Sequence, residues 1–456
     1  MTATVVFGFG LTGRSVTRSL LASGDEVTVI DDHPTEETRS VAAELGAALI
    51  EAPDRATLAE LVTAAGSVVP SPGVPVGHPV FALAAASGVP VVSEIELAWR
   101  RLERRRPPRP TLVAVTGTNG KTTVVTLVTA MVEASGLGAV AAGNIGLPLI
   151  DAVDTDADVV VAEVSSFQLQ FTEGFRPAVS CWLNAAEDHL DWHPSMAHYL
   201  AAKARIWAAQ GPGDVAVINR DDSVVIGCAG DATAGVPAGV ARRTFAVNGP
   251  ADFGVDRGRR RLVGPDGDIV ALADMLRTLP HDLSNAAAAA AVAASAGATT
   301  QAAGAVLTAF AGLPHRVQLV AESEGVRWYD DSKATTPASV LAAAAGFDSV
   351  VLIAGGRNKG LDLGVLTSIA PPVRAVVAIG EASGEVESAF AGVVPVQIAP
   401  SMAEAVSAAR RLAAPGDVVL LSPGCASFDW YRSYHERGED FAAAVAAQLG
   451  TGGKDR

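Results

Sequence analysis

Short β-branched runs alternate along the chain with Ala- and Leu-rich stretches at helical spacing. Val5-Val6-Phe7, Val27 to Ile30, Thr111 to Val115, Val159 to Ala162, Ser349 to Ala354 and Val418 to Leu421 read as strands. Strand and helix repeated in this way predict parallel sheets in an α/β fold. Two interruptions divide the pattern. Arg104 to Pro110 contains three prolines, which exclude helix, and reads as a stiff linker with solvated arginines. Gly312-Leu313-Pro314-His315-Arg316 follows an Ala-rich helical stretch and precedes a strand-like run at Val326 to Tyr329. Three domains are therefore expected, at 1–107, 108–312 and 313–456.

Charge narrows the partners. The chain has 34 Lys+Arg against 49 Asp+Glu, a formal charge of -15. That field disfavours nucleic acid and anionic membrane surfaces, so any phosphate must be held by local groups. Cys181, Cys228 and Cys425 show no CxxC spacing, which argues against a zinc site or a disulfide framework and predicts a reducing, cytoplasmic setting. No window holds 18 uninterrupted apolar residues, and the first residues read as a strand without the basic start of an export signal, so neither membrane insertion nor export is expected.

Candidate chemistry lies at the carboxyl ends of the predicted strands. Gly8-Phe9-Gly10-Leu11-Thr12-Gly13 joins a strand to a helix, as a nucleotide-binding turn requires, and Asp31-Asp32 closes the next strand. Alone, this turn reads as an NAD site, which would make the chain an oxidoreductase, or as a tight turn that binds nothing. Thr116-Gly117-Thr118-Asn119-Gly120-Lys121-Thr122-Thr123 is a stronger signal. Successive N–H groups can cradle phosphates there, Lys121 supplies a point charge and Thr122 a hydroxyl for Mg²⁺, although Val115 replaces the first glycine of the strict motif.

Glu163, at a strand end, suits the same cation. Glu187-Asp188-His189-Leu190-Asp191-Trp192-His193 is crowded with groups able to bind a cation or its water. Leu200, Lys203 and Trp207 share a helix face, so Lys203 either snorkels outward or sits desolvated as a nucleophilic amine. His281 to Asn285 precedes the Ala-rich helix and can cap it or meet a base. In the last third, polar loops at Asp330 to Pro337, Gly355 to Gly360 and Ser422 to Asp429 follow three strands, which favours one shared crevice.

Together these segments closely resemble the Mur ligase family, on its D-glutamate-adding side, over nearly the whole chain. The general likeness rests on Gly117 to Thr122, Gly143-Asn144-Ile145-Gly146 and Glu187 to Asp191. The likeness to D-glutamate ligases rests on Asp331 to Thr335, Glu163 to Leu169 and Ser422 to Phe428. The resemblance implies a three-domain architecture: a Rossmann-like N-terminal domain binding UDP, a P-loop ATPase-like central domain and a Rossmann-like C-terminal domain. It implies a cytoplasmic monomer using ATP and two Mg²⁺ ions to join D-glutamate to UDP-N-acetylmuramoyl-L-alanine in peptidoglycan precursor synthesis, with L-alanine addition the nearest alternative.

Carried over by the resemblance, Leu11, Thr12, Asp31 and Gly73 meet UDP, with His33 standing where relatives can have Arg. Gly117, Thr118, Asn119, Gly120, Lys121, Thr122, Thr123, Val124, Asn285, Arg316 and Asp331 meet ATP. Lys333, Thr335, Lys359, Ser427 and Phe428 form the D-glutamate pocket. Thr122, Glu163, His189 and Lys203 hold metal, Lys203 as a carbamate. Lys121, Asn144, His189 and Lys203 are the expected catalytic set.

Overall fold

The computed structural model describes residues 3–190, 192–369 and 372–450. Among the described residues the strands form three sheets. The first is parallel and contains β1 (Thr4–Phe7), β2 (Val27–Asp31), β3 (Ala48–Glu51) and β4 (Ser67–Pro70) in the order β3-β2-β1-β4. β1 thus lies between its successor and the last strand. The chain reverses direction of travel across the sheet there, which opens a crevice at the carboxyl ends of β1 and β4.

The second sheet holds β5 (Thr111–Thr116), β6 (Ala139–Gly143), β7 (Val159–Glu163), β8 (Val179–Trp182), β9 (Val215–Asn219), β10 (Ala241–Ala246), β11 (Phe253–Asp256), β12 (Arg261–Gly264) and β13 (Gly267–Ala271). Their order is β13-β12-β11-β10-β9-β8-β5-β7-β6. β5 sits between β7 and β8, parallel to both, and β7 is buried along its whole length. Burial on both faces explains the unbroken apolar run that announces a central parallel strand. At the other end the sheet departs from the expected parallel pattern, because β11, β12 and β13 are antiparallel. Pro265-Asp266 between Gly264 and Gly267 is the turn signal that could have foretold it.

The third sheet contains β14 (Gln318–Ser323), β15 (Val326–Asp330), β16 (Val350–Gly355), β17 (Val373–Ile379), β18 (Val396–Ile398) and β19 (Val418–Gly424), ordered β14-β15-β19-β16-β17-β18. Only β14 runs antiparallel to its neighbour, through a turn at Glu324 and Gly325 with φ of 55° and 75°. Paired positive φ is the signature of a tight hairpin turn.

The chain divides into two compact units. Met1–Ala185, Trp192–Asp274 and Asn285–Thr308 form one, with the first two sheets; Ala186–Asp191, Met275–Ser284 and Ala309–Arg456 form the other, with the third. Each expected segment therefore owns a sheet, while the first two sheets pack within one unit. The linker also differs from expectation: Arg105 is half-buried and donates to the carbonyls of Val153 (2.8 Å) and Thr155 (2.7 Å). Carbonyls left over after a helix end are ready acceptors, and a guanidinium has five donors to offer. The Ala-rich helix begins earlier than expected, at Pro280, because proline is well placed in a first turn. Its alanines from Ala286 to Ala291 are all buried, which lets neighbouring backbone approach closely.

Candidate active site

Two strand-to-helix turns in the first unit share one trait. The helices Leu11–Ala22 and Lys121–Ala134 start from Gly10 and Gly120, neither of which brings a side chain to cover the first-turn N–H groups. Many other helices here are capped by Ser, Thr or Asp. Donors at a helix start attract anions, so both turns suit phosphate.

At the first turn, a cleft of about 720 Å³ opens at the carboxyl ends of β1, β2 and β4. Leu11, Thr12, Asp31 and Gly73, the four expected UDP contacts, all line it, and so does His33. Gly13 is required by close approach: a Cβ there would lie 2.1 Å from the carbonyl oxygen of Gly8. Asp31 is heavily engaged, accepting from the N–H of Phe9 (2.7 Å) and of His33 (2.9 Å). It thereby holds the glycine turn in shape. Asn144 also lines the cleft.

Asn144 also reaches the second turn. Its Nδ2 donates to Glu163 Oε1 at 3.2 Å, while Thr122 Oγ1 donates to Glu163 Oε2 at 2.9 Å. Glu163 is the last residue of β7 and only 3% exposed. Gly143 lets this happen: with φ of 100°, it brings its backbone so near Glu163 that a Cβ would sit 2.3 Å from that residue's carbonyl oxygen. Hydroxyl and carboxylate side by side are hard oxygen donors of the kind Mg²⁺ prefers, so the residues present fit that ion. Among the described residues no group of three or more His, Cys, Asp or Glu is gathered as a metal cluster.

Lys121 Nζ donates to the carbonyls of Gly117 (2.7 Å) and Thr118 (2.9 Å), lying across its own loop. Thr123 is buried, and Val124 is a core residue whose N–H is bonded to Gly120, so the helix already uses that donor. Asn285 packs against Gly120, its Oδ1 2.4 Å from where a Cβ would stand. Lys203 lies on the buried face of the helix Met196–Ala208, 2% exposed. Its Nζ donates to the Gly117 carbonyl at 2.9 Å and stands 4.7 Å from the centre of the Tyr199 ring, whose hydroxyl is 3.0 Å from Thr118 Oγ1.

Sequence reasoning missed Asn184, just beyond β8. Its side-chain amide accepts from the N–H of Asn119 (2.8 Å) and donates to the carbonyl of Asn119 (3.1 Å), gripping the phosphate loop from the neighbouring strand. An amide at a strand end beside Leu183 was the available signal, but its use depends on β8 pairing with β5.

In the second unit, His189 has φ of 55°, uncommon for a residue with a Cβ, and its ring nitrogen lies 3.2 Å from Asp188. Asp191, from the same motif, lies outside the described residues. Loops after β15, β19 and β16 stand side by side because those strands are neighbours. Backbone bonds tie them: Gly424 N–H to Ala334, Asp331 N–H to Leu421, and a mutual pair between Arg357 and Ala426. On these loops Lys333 stacks over Tyr434 at 3.9 Å, Ser427 is buried, Thr335 and Lys359 are half-buried, and Phe428 is exposed.

Asp331 is buried and accepts from Ser422 Oγ (2.7 Å) and the N–H of Val317 (3.2 Å). Burial pushes its carboxyl up to about 7, although Ser422, Val317 and the nearby Arg316 pull the other way. Beneath the loops, Arg437 donates to the hydroxyl and carbonyl of Ser332 and the carbonyl of Cys425. Burial holds that guanidinium down at about 10.

Comparison with known proteins fits this geometry. The chain matches the Mur ligase MurD-like N-terminal domain over residues 2–93, the Mur ligase middle domain over 115–293 and the Mur ligase glutamate ligase domain over 315–425. It belongs to the Mur ligase family, ATP-dependent enzymes that form amide bonds. An oxidoreductase reading of the glycine turn has no place in that family.

Its curated relatives include the UDP-N-acetylmuramoylalanine–D-glutamate ligase of Frankia casuarinae, 42% identical over 98% of this chain and 94% of that one. The enzyme of the same name from Desulfosudis oleivorans is 41% identical over 97% and 95%. Among solved structures, MurF from Acinetobacter baumannii has a TM-score of 0.59 at 17% identity, covering 97% of this chain and 90% of its own. UDP-N-acetylmuramate-alanine ligase from Thermotoga maritima has a TM-score of 0.56 at 17% identity, covering 98% and 100%. At those identities the likeness concerns the fold. No helix of the described residues is long and apolar enough to cross a membrane.

Proposed function

We propose that this enzyme joins D-glutamate to UDP-N-acetylmuramoyl-L-alanine at the expense of ATP, as a cytoplasmic monomer in peptidoglycan precursor synthesis. The observation that carries the reading is that Asn144 both lines the nucleotide cleft and donates to Glu163, which supports a meeting there of a sugar-linked acid with a metal-bound phosphate. Near-full-length likeness to D-glutamate ligases supports the choice of amino acid.

A carboxylate is a poor acyl donor because it would have to expel oxide. Its oxygen first attacks the γ-phosphorus of ATP and ADP leaves, giving an acyl phosphate. The amine of D-glutamate then attacks the acyl carbon, phosphate departs and the amine proton passes to solvent. Phosphoryl transfer needs positioning and charge neutralisation more than covalent help. The helix start at Gly120 to Thr123 supplies N–H donors, and Lys121, released from its loop carbonyls, supplies positive charge. Mg²⁺ held by Thr122 and Glu163 would neutralise phosphate charge.

Lys203 serves as a carbamate. Its neutral amine would add to CO₂ and lose a proton to give a carboxylate equivalent, which with His189 would hold a second Mg²⁺. Asn285, Arg316 and Asp331 contact the adenine nucleotide. Leu11, Thr12, Asp31 and Gly73 hold UDP, and Lys333, Thr335, Lys359, Ser427 and Phe428 hold D-glutamate. The test is release of ADP and phosphate with UDP-N-acetylmuramoyl-L-alanine, Mg²⁺ and either D-glutamate or L-alanine. Turnover with D-glutamate alone is expected; turnover with L-alanine, or none, would overturn the proposal.

A further inference from the structure

We propose that Asp32, held in place by His78, is a specificity residue of the nucleotide cleft, accepting a hydrogen bond from a donor of the uridine moiety. The inference rests on the uridine reading above and adds to the contacts assigned there.

The neighbouring acid, Asp31, takes one backbone N–H on each oxygen, from Phe9 and His33, which ties it to the glycine turn beside its UDP contact. Asp32 also lines the cleft and is differently placed: its Oδ2 is bound at 2.9 Å by His78 Nε2. The tautomer of His78 follows from its other nitrogen. Nδ1 accepts from the N–H of Val80 at 3.2 Å, capping the helix Pro79–Ser87, so the ring proton must sit on Nε2 and point at Asp32. The ring is fixed further by packing on Phe7, centroids 4.4 Å apart. His78 thus makes three contacts, two of which serve to aim the third.

A carboxylate steadied at one oxygen keeps its remaining lone pairs for a donor in the cleft. UDP offers two kinds of donor, the imide N3–H of uracil and the ribose hydroxyls. Acids at the end of a second strand commonly meet ribose hydroxyls. His78 acts through Asp32 and is a positioning residue.

Asparagine at position 78 separates its two roles. Its side chain is a good helix cap, so the Val80 contact survives, but it is too short to reach Asp32. Calorimetric binding of UDP, 2′-deoxy-UDP and N3-methyl-UDP to wild type, Asp32→Asn and His78→Asn gives the readout. Both variants should keep the wild-type melting temperature and bind UDP about tenfold more weakly. The double variant should be no worse than Asp32→Asn. In turnover the KM for the UDP-linked substrate should rise with kcat and the KM for ATP unchanged. Whichever analogue loses affinity in wild type but not in Asp32→Asn identifies the donor. UDP binding by His78→Asn at wild-type strength would overturn the role of the pair alone. Failure of wild type to bind UDP would instead bring down the uridine reading, and this inference with it.

Discussion

Replacing Asp331 with Asn should stabilise the protein in mild alkali, although it removes a buried, fully hydrogen-bonded side chain. In an unfolded chain the carboxyl titrates near 3.8, whereas in the folded protein burial pushes it to about 7. Between those values the folded state holds a proton that the unfolded state has lost. Stability therefore falls as pH rises through this window and stays low above it.

A gap of roughly three pH units corresponds to about 4 kcal/mol. If relaxation and water entry recover half, about 2 kcal/mol remains. Asn is always neutral, its oxygen can take the N–H of Val317, and its amide can donate to Ser422 Oγ, which also accepts. At roughly 2–4 °C per kcal/mol, the variant should melt ~4–8 °C above wild type at about pH 8.5, and the gap should shrink to roughly a third of that at about pH 5. Glu94, likewise pushed up to about 7 by burial, leaves a residual slope in both proteins. Thermal unfolding at the two pH values is the assay. A variant that melts at or below wild type in alkali would refute the argument that an unpaid desolvation penalty resides at Asp331.

Other residues yield shorter tests. Lys203→Ala should be nearly inactive and partly restored by small carboxylates; full activity in steady-state assays would remove Lys203 from the mechanism. Glu163→Ala should raise the Mg²⁺ requirement or abolish turnover, read from a magnesium titration at saturating substrates. Asn184→Ala leaves the N–H of Asn119 without its acceptor, so ~1–3 kcal/mol of stability should go and the KM for ATP should rise about tenfold.

Local pattern foretold where several candidate residues stand. The apolar run before Gly117, the acid closing Val159 to Ala162 and the helical phase of Lys203 each depend on neighbours within a few residues, and each stands where that phase puts it. What escaped depends on which strands become neighbours. Asn184 grips the phosphate loop only because β8 crosses over to pair with β5, and His78 meets Asp32 only because β4 and β2 flank β1. The antiparallel edge at β11 to β13 was hidden by weak alternation, and Arg105 by the assumption that a run of arginines faces water. Division of the chain into two units follows from packing between sheets, which no single window reports.

The bare glycine starts of two helices leave empty protein less steady than it need be. Gly10 has extended backbone angles and nothing within 4 Å of a would-be Cβ, so serine fits there without strain. Such a replacement should raise the stability of unliganded material by a few tenths of a kcal/mol while competing with its own nucleotide for the same donors. Resistance to heat and grip on substrate would then move in opposite directions, a trade that any attempt to harden this enzyme by redesign will meet first at that turn.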